Sequence, residues 1–181
     1  MKFLTKLSRR CTVKTLIISA IIMGFFMAVI LPYEAAMYRD VSNDLSAPDT
    51  QFFYTAKWLH NLASQLGDEG RRFYIISRLR FDFLWPIAFT FFFFNVLALL
   101  YKDTRLKHYL LLLPVFGLLF DYLENLSVSV VFAMYPRMLV ALPHLAGIFT
   151  MFKWTAIYTT FIVIVVGIIR LAGKSVRGCK A

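Results

Sequence analysis

The chain has 181 residues, of which 60% are hydrophobic and 17% aromatic, and its formal net charge is +10. A soluble domain of this length has too little interior to bury so many apolar side chains. The composition therefore excludes a soluble globular domain. We therefore expect an all-α integral membrane protein that folds as a single domain over residues 1–181.

Four apolar stretches predict a four-transmembrane-helix bundle with spans at about 13–31, 83–101, 109–134 and 139–169. A helix needs about 20 residues to cross roughly 30 Å of hydrocarbon, and each stretch meets or approaches that length. The first stretch follows a basic leader and is expected to end at Pro32. Its length favours a retained anchor over a cleaved signal peptide. A tight turn at Tyr135-Pro136-Arg137 separates the last two spans.

Residues 33–82 form a long external loop of mixed composition between the first two spans. A turn at 46–50 leads into a predicted helix that Asp49 or Thr50 caps and Gly67 ends. The apolar residues of this helix recur at helical spacing, so we expect it to lie on the outer membrane face as an interfacial helix. A second helical stretch follows Gly67 and continues into the second span.

The positive charge is concentrated on one side of this topology. The segments 1–14, 102–107 and 170–180 together hold 12 basic residues and 1 acidic residue, whereas residues 33–82 hold 6 basic and 7 acidic. Cytoplasmic segments of membrane proteins carry such an excess of lysine and arginine. We therefore expect a bacterial inner-membrane protein with both termini in the cytoplasm. Its basic segments would contact anionic membrane lipids, and no nucleic-acid partner is needed.

The third span carries ionisable residues at a depth where apolar ones would suffice. At 100° per residue, Asp121, Glu124 and Asn125 fall within about 100° of one another, on the helix face that also holds Gly117. Charged side chains in hydrocarbon are unfavourable, so those that occur mark function or an interhelical pair. The sequence therefore predicts a buried polar face on this span.

Counting about 1.5 Å per residue along the spans places several polar residues at one level, near the bilayer midplane. These residues are Asn95, Asp121, Glu124, Asn125, Thr150 and Lys153. A buried lysine strongly favours a carboxylate partner, so we expect Lys153 to pair with Asp121 or Glu124. The other carboxylate would then be protonated or bound to something else.

These residues define a candidate site with catalytic and ligand-binding members. Asp121, Glu124 and Lys153 are the catalytic candidates: one acid would donate or accept a proton, and the lysine would set its pKa. Asn95 and Asn125 would orient the polar end of a ligand. The full set of ligand-binding candidates is Asn95, Asn125, Thr150, Trp154, Asp82 and Arg71. The sequence has no metal-ligand spacing, phosphate-binding glycine loop or nucleophile motif, so no metal is expected and the cofactor stays open.

Asp82 lies where the second span enters the membrane, with Arg78 and Arg80 close by in the sequence. An interfacial ion pair is the ordinary interpretation of such a group. The alternative that implies a specific function is that the arginines bind the phosphate of a lipid headgroup.

Many of these residues fall in an ordered set of short motifs. The set comprises Pro48-Asp49, Leu66-Gly67, Gly70-Arg71, Tyr74, Asp82-x-x-x-Pro86, Asp121-x-x-Glu124-Asn125 and Thr150-x-x-Lys153-Trp154. It resembles a family of uncharacterised bacterial four-transmembrane-helix proteins over about 48–154. The resemblance implies a shared helical layout and supports the polar residues as a set, without bringing an activity. A looser likeness, in architecture alone, is to the four-helix membrane fold of sterol isomerases and sigma-2-type receptors, which bury acids in an apolar ligand cavity.

The expected function is a buried polar site that binds a lipid-like or isoprenoid molecule and, as an enzyme, would transform it. Two other classes stay open. A proton- or cation-coupled carrier would use the carboxylates as an ion site and would need a homo-oligomer, since four spans are few for a carrier. In a scaffold or accessory subunit, the same residues would only hold the helices together through an ion pair and hydrogen bonds.

Overall fold

A computed structural model describes residues 2–178, and the regular structure in that range is helical. The helices are α1 Lys2–Ser8, α2 Val13–Phe25, α3 Leu31–Ser42, α4 Ala56–Arg80, α5 Trp85–Leu100, α6 Lys107–Leu110, α7 Leu112–Met134 and α8 Ala141–Gly178. Within the described range, four helical segments are long and apolar enough to cross a membrane: Val13–Ser42, Ala56–Leu100, Lys107–Met134 and Ala141–Gly173. The predicted all-α fold with four apolar helices is confirmed.

The first apolar helix continues past Pro32, so the prediction that Pro32 ends it is wrong. A π-helical turn at Phe26–Ile30 joins α2 to α3, and the Leu31 N–H donates five residues back to the Phe26 carbonyl. A proline ring clashes with the carbonyl four residues before it, and a widened π turn is a common way to accommodate that defect. The helix therefore extends to Ser42 and carries the first part of the predicted loop with it.

The segment that precedes α5 folds differently in detail from the prediction. Pro48–Thr50 form a 3-10 turn, and α4 begins only at Ala56, where the Thr55 side chain accepts a hydrogen bond from the Trp58 N–H. The helix start expected at Asp49 or Thr50 is therefore wrong. The expected break at Gly67 is confirmed, because its φ of +64° interrupts the helical backbone before α4 resumes toward Arg80.

The helices α7 and α8 form the central pair, and α5 packs against both. One apolar cluster joins α4 to α7 and α8; its buried members are Tyr54, Leu59, Leu62, Ala63, Leu66, Tyr74, Val128, Val131, Phe132 and Ala146. A second cluster lies at the opposite end of α7; its buried members are Phe94, Leu97, Ala98, Tyr101 and Leu111. The polar middle of α7 is therefore enclosed between two apolar clusters.

The connection between α7 and α8 is a short turn at the position that the sequence predicted, over residues 135–140. The imidazole Nε2 of His60 lies 2.8 Å from the Leu139 carbonyl oxygen, which fastens α4 to this turn. Because α4 is held there, its first half covers the ends of α7 and α8 that adjoin the turn.

Candidate functional site

The centre of the site is an ion pair between α7 and α8. Lys153 Nζ lies 2.5 Å from Glu124 Oε2 and 3.4 Å from Asp121 Oδ1. The Glu124 side chain is fully buried, whereas 13% of the Asp121 side chain is exposed. Lys153 thus pairs with both acids, where the sequence predicted one, and Asp121 is the acid that a small molecule can reach.

Tyr54 approaches the ion pair from the segment before α4. Its hydroxyl donates to Glu124 Oε1 at 3.3 Å, and the Thr150 side chain lies beside both groups, with its hydroxyl donated to the Ala146 carbonyl at 3.0 Å. Burial, followed by the nearby Glu124 carboxylate, raises the pKa of Tyr54. Tyr54 therefore stays neutral and acts as a hydrogen-bond donor to the carboxylate.

Asp49 contacts the site with both its backbone and its side chain. Its carbonyl oxygen accepts from Trp154 Nε1 at 3.2 Å and lies 3.5 Å from Lys153 Nζ. Its carboxylate receives two hydrogen bonds from the Arg78 guanidinium, at 3.0 and 3.1 Å. Burial by itself would raise the pKa of Asp49, but the Arg78 and Lys153 charges outweigh that effect and hold it below its ordinary value. Asp49 is therefore ionised at neutral pH.

Asn125 links the ion pair of Lys153 to the contacts of Arg78 with Asp49 and Asp82. Its Nδ2 donates to Asp82 Oδ2 at 2.8 Å and to Asp121 Oδ2 at 3.0 Å, while Arg78 Nη1 lies 2.5 Å from the same Asp82 oxygen. The expected ion pair of Asp82 with a neighbouring arginine is thus formed by Arg78. One continuous chain of contacts results, which we call the polar network: Tyr54, Glu124, Lys153, Asp121, Asn125, Asp82, Arg78 and Asp49.

The polar network holds more acid than base. It contains four carboxyl groups, from Asp49, Asp82, Asp121 and Glu124, against the two cations of Arg78 and Lys153. Two buried cations need only two carboxylates for balance, and unbalanced buried charge is strongly unfavourable. Such a surplus is relieved when carboxyl groups bind protons or when a cation binds beside them. The arrangement can therefore exchange protons or attract positive charge.

Two cavities border the polar network. The first, which we call the polar cavity, has a volume of about 490 Å³ and is lined by Glu34, Asp49, Tyr74, Arg78 and Asp82 among others. The second, the apolar cavity, has a volume of about 210 Å³ and lies among α2, α5, α7 and α8. Trp85 belongs to the walls of both cavities. The polar and apolar cavities are therefore neighbours that share Trp85 in their walls.

The apolar cavity is lined by aliphatic, aromatic and sulfur-containing side chains, with Asp121 as its one carboxylate among the described residues. Trp154 lines the same wall, and its indole N–H is already donated to the Asp49 carbonyl. Asp121 is consequently the polar group of the network that faces this cavity.

Two of the predicted site residues lie elsewhere. The Asn95 side chain accepts from the Thr15 hydroxyl at 2.7 Å and donates to the Phe91 carbonyl at 2.8 Å, so it joins α2 to α5 and has no hydrogen bond to the polar network. Arg71 pairs with Asp68 and donates to the Ala63 carbonyl at 2.5 Å across the Gly67 break. Asn95 and Arg71 therefore make their contacts away from the polar face of α7, and their expected ligand-binding role stays a prediction. The other candidates, Asp82, Asn125, Thr150 and Trp154, are all at the site.

Three members of the polar network were not among the predicted site residues. The sequence predicts Asp49 as one of two candidate helix caps and Arg78 as an interfacial ion-pair partner of Asp82, and it gives no role to Tyr54. Asp49 carried one usable signal, since Pro48-Asp49 belongs to the motif set. Arg78 also carried a local signal, since it lies four residues before Asp82, whereas nothing local to Tyr54 distinguishes it from other residues of the loop.

No cluster of three or more His, Cys, Asp or Glu side chains within residues 2–178 is arranged to hold a metal ion. Comparison of the chain with protein-family models, curated proteins and solved structures found no match. The resemblance to bacterial four-span proteins therefore stays a prediction, and function has to be inferred from the geometry of the site.

Proposed function

We propose that this protein binds an amphiphilic, lipid-like molecule, with the polar end of the ligand at the polar network and its apolar part in the apolar cavity. The observation that carries the proposal is the position of Asp121. It is a carboxyl group of the polar network and also the carboxylate in an otherwise apolar wall. Ligand sites are typically apolar pockets in which a few convergent polar groups fix the orientation of the ligand.

The proposal includes a membrane setting. The four apolar helices would cross a bacterial inner membrane with both termini in the cytoplasm, as the distribution of basic residues indicates. The first half of α4 would then lie at the outer interface, above the site. In this setting the apolar cavity is at the depth of the hydrocarbon, so a ligand could enter from the bilayer without crossing water.

The ligand would enter the apolar cavity from the bilayer beside α2. Of the described side chains of this helix, Ser19 is the buried one, and Met23 and Met27 line the apolar cavity from α2 and the π turn. A helix held by so few buried contacts separates from its neighbours at lower free energy than the tightly packed pair of α7 and α8. Methionine side chains also adapt readily to ligands of varied shape.

Within this proposal Asp121 and Glu124 have different tasks. Glu124 is fully buried and held by Lys153 and Tyr54, so its role is to fix the lysine. Asp121 is partly exposed at the cavity and shares the same lysine at a longer distance. Asp121 is therefore the group that would exchange a proton with a bound ligand if the protein is an enzyme, and Lys153 would stabilise its ionised form.

The experiment compares lipids that co-purify with wild type, Met27→Trp and Asp121→Asn, by mass spectrometry of the detergent-solubilised protein. The larger tryptophan side chain at position 27 would fill the mouth of the apolar cavity. Val29→Trp is the matched control, because Val29 lies on the same π turn, is exposed and does not line the cavity. We expect a molecule retained by wild type and Val29→Trp to be lost or strongly depleted in Met27→Trp and Asp121→Asn.

Other outcomes would replace the proposal with one of the alternatives. If no molecule is selectively retained and Asp121→Asn sharply lowers the free energy of unfolding, the polar network only holds the helices together. The scaffold class is then favoured. If reconstituted protein instead moves protons or monovalent cations across vesicles and Asp121→Asn abolishes that flux, the carrier class is favoured.

A further inference from the structure

The polar cavity has an excess of negative charge among its less exposed groups. Arg78 is its buried cation and is already shared between Asp49 and Asp82, which leaves that triad with one carboxylate too many. Glu34 adds another acid: its Oε2 accepts from the Ser77 hydroxyl at 2.5 Å, and it forms no ion pair with a described lysine or arginine. The other arginine of the cavity wall, Arg39, is exposed to solvent. A ligand with only negative charge would therefore be repelled.

Three buried polar atoms of cavity-lining residues also lack partners among the described residues, and the Tyr38 hydroxyl is one of them. The Tyr74 hydroxyl and the Arg78 Nε have no hydrogen bond to any described residue, although both residues line the polar cavity. Tyr74 is fully buried, and its ring lies under the Arg78 guanidinium, whose Cζ is 4.5 Å from the ring centroid. Leaving such atoms unsatisfied is unfavourable, so a ligand that satisfies them gains affinity.

The charge and the unpaired atoms of the polar cavity indicate which ligand groups would be complementary to it. The carboxylate of Glu34 and the oxygen of Tyr74 are both hydrogen-bond acceptors, and the complementary ligand group is an ammonium, which has three donors. The Nε of Arg78 is a donor and needs an acceptor oxygen next to that ammonium. An ammonium separated by a short linker from an ester or phosphate oxygen supplies both.

We propose that the polar cavity binds the headgroup of an amphiphile that carries a primary ammonium with an acceptor oxygen beside it, the chemistry of an aminophospholipid such as phosphatidylethanolamine. The inference rests on the proposed function, because the acyl part of the same molecule would occupy the apolar cavity beyond Trp85. It goes further by naming the sign and chemistry of the headgroup. The volume of about 490 Å³ is ample for a headgroup of a few heavy atoms.

The experiment is competitive lipid binding to the full-length protein in a nonionic detergent, followed by native mass spectrometry. The probes are phosphatidylethanolamine, phosphatidylglycerol and diacylglycerol with identical acyl chains, so only the headgroup changes. We expect the ethanolamine lipid to bind about tenfold more tightly than either competitor, as one charge-assisted hydrogen bond would allow.

Two variants and a control test the assigned atoms. Glu34→Gln removes the carboxylate charge, and Tyr74→Phe removes a hydroxyl that has no hydrogen-bond partner among residues 2–178. Both should reduce the preference for the ethanolamine lipid, and Tyr74→Phe should do so without lowering the melting temperature. Glu69→Gln changes an exposed carboxylate of α4 and should leave the preference unaltered.

The inference and the proposed function can fail separately. Equal or tighter binding of phosphatidylglycerol or diacylglycerol would overturn the ammonium assignment while leaving a lipid site in place. An unchanged preference in both Glu34→Gln and Tyr74→Phe would also overturn it. Absence of binding by all three lipids would overturn the inference together with the proposed function.

Discussion

The backbone carbonyl of Tyr54 lies directly against Gly147 of α8. A β-carbon on Gly147 would be 2.1 Å from the Tyr54 carbonyl oxygen, far inside van der Waals contact. The missing side chain therefore lets the segment before α4 lie on α8, and this close approach brings the Tyr54 hydroxyl to Glu124. A glycine in a helix thus positions a donor that reaches the buried ion pair.

Replacement of this glycine should separate the segment from α8. Gly147→Ala should lower the free energy of unfolding by about 1–3 kcal/mol, because a backbone atom has to move to make room. The measurement is denaturant unfolding in detergent. Gly24→Ala is the control, since nothing lies within 4 Å of a β-carbon there, and it should be neutral or stabilising through its helix propensity. Equal behaviour of the two variants would show that the close approach is not important for stability.

Lys153 should be the residue on which the stability of the site depends most. Lys153→Met leaves Glu124 and Asp121 buried without a cation, and loss of one partner of a buried ion pair typically costs about 3–5 kcal/mol. Adding Glu124→Gln removes one of the unpaired charges, so the double variant should be more stable than the sum of the single effects by about 2 kcal/mol. Unfolding of all four proteins provides the cycle, and strict additivity would contradict a coupled pair.

The stability of the protein should fall at acid pH in part because Asp49 becomes protonated. Its pKa is lowered in the folded state, so its ionised form stabilises the fold. For a lowered pKa, this contribution is fully present above the unfolded value of about 4 and is lost as the pH falls through the folded value. Wild type should therefore lose melting temperature as the pH falls below about 4, in part through Asp49.

The Asp49→Asn variant should be less stable than wild type at pH 7, and the difference should shrink as the pH approaches the folded pKa. Melting temperatures of the two proteins at a series of pH values measure that difference. Asp40→Asn is the matched control, since Asp40 is exposed on α3. A difference between wild type and Asp49→Asn that does not change with pH would mean that the carboxylate charge is not what stabilises the segment.

The polar face of α7 could be predicted from the sequence because it depends on local geometry alone. Rotation of 100° per residue fixes Asp121, Glu124 and Asn125 on one side wherever the helix lies. The pairing of Lys153 also followed, since a buried cation requires a carboxylate and few were available. Distance along a helix was a weaker guide, because it could not show that the Asn95 side chain faces α2.

The remaining contacts of the site depend on long-range packing. Asp49 and Tyr54 reach α7 and α8 only because the segment between α3 and α4 docks there, and that docking relies on Gly147, more than 90 residues later in the chain. Pro32 is a similar case, since the local rule that proline ends a helix was overridden by a π turn. Neither event has a signature in the neighbouring residues.

Arg71 is predicted as a ligand-binding residue, but its contacts within the protein favour a structural role, and the two roles can be separated by mutation. Its guanidinium donates to the Ala63 carbonyl, pairs with Asp68 and lies 4.2 Å from the centroid of the Tyr135 ring. Arg71→Met should therefore lower the free energy of unfolding by about 1–3 kcal/mol while the co-purifying lipids stay the same. Arg72→Met, at the exposed neighbouring position, should change neither quantity. Loss of a retained lipid in Arg71→Met at unchanged stability would return Arg71 to the ligand site.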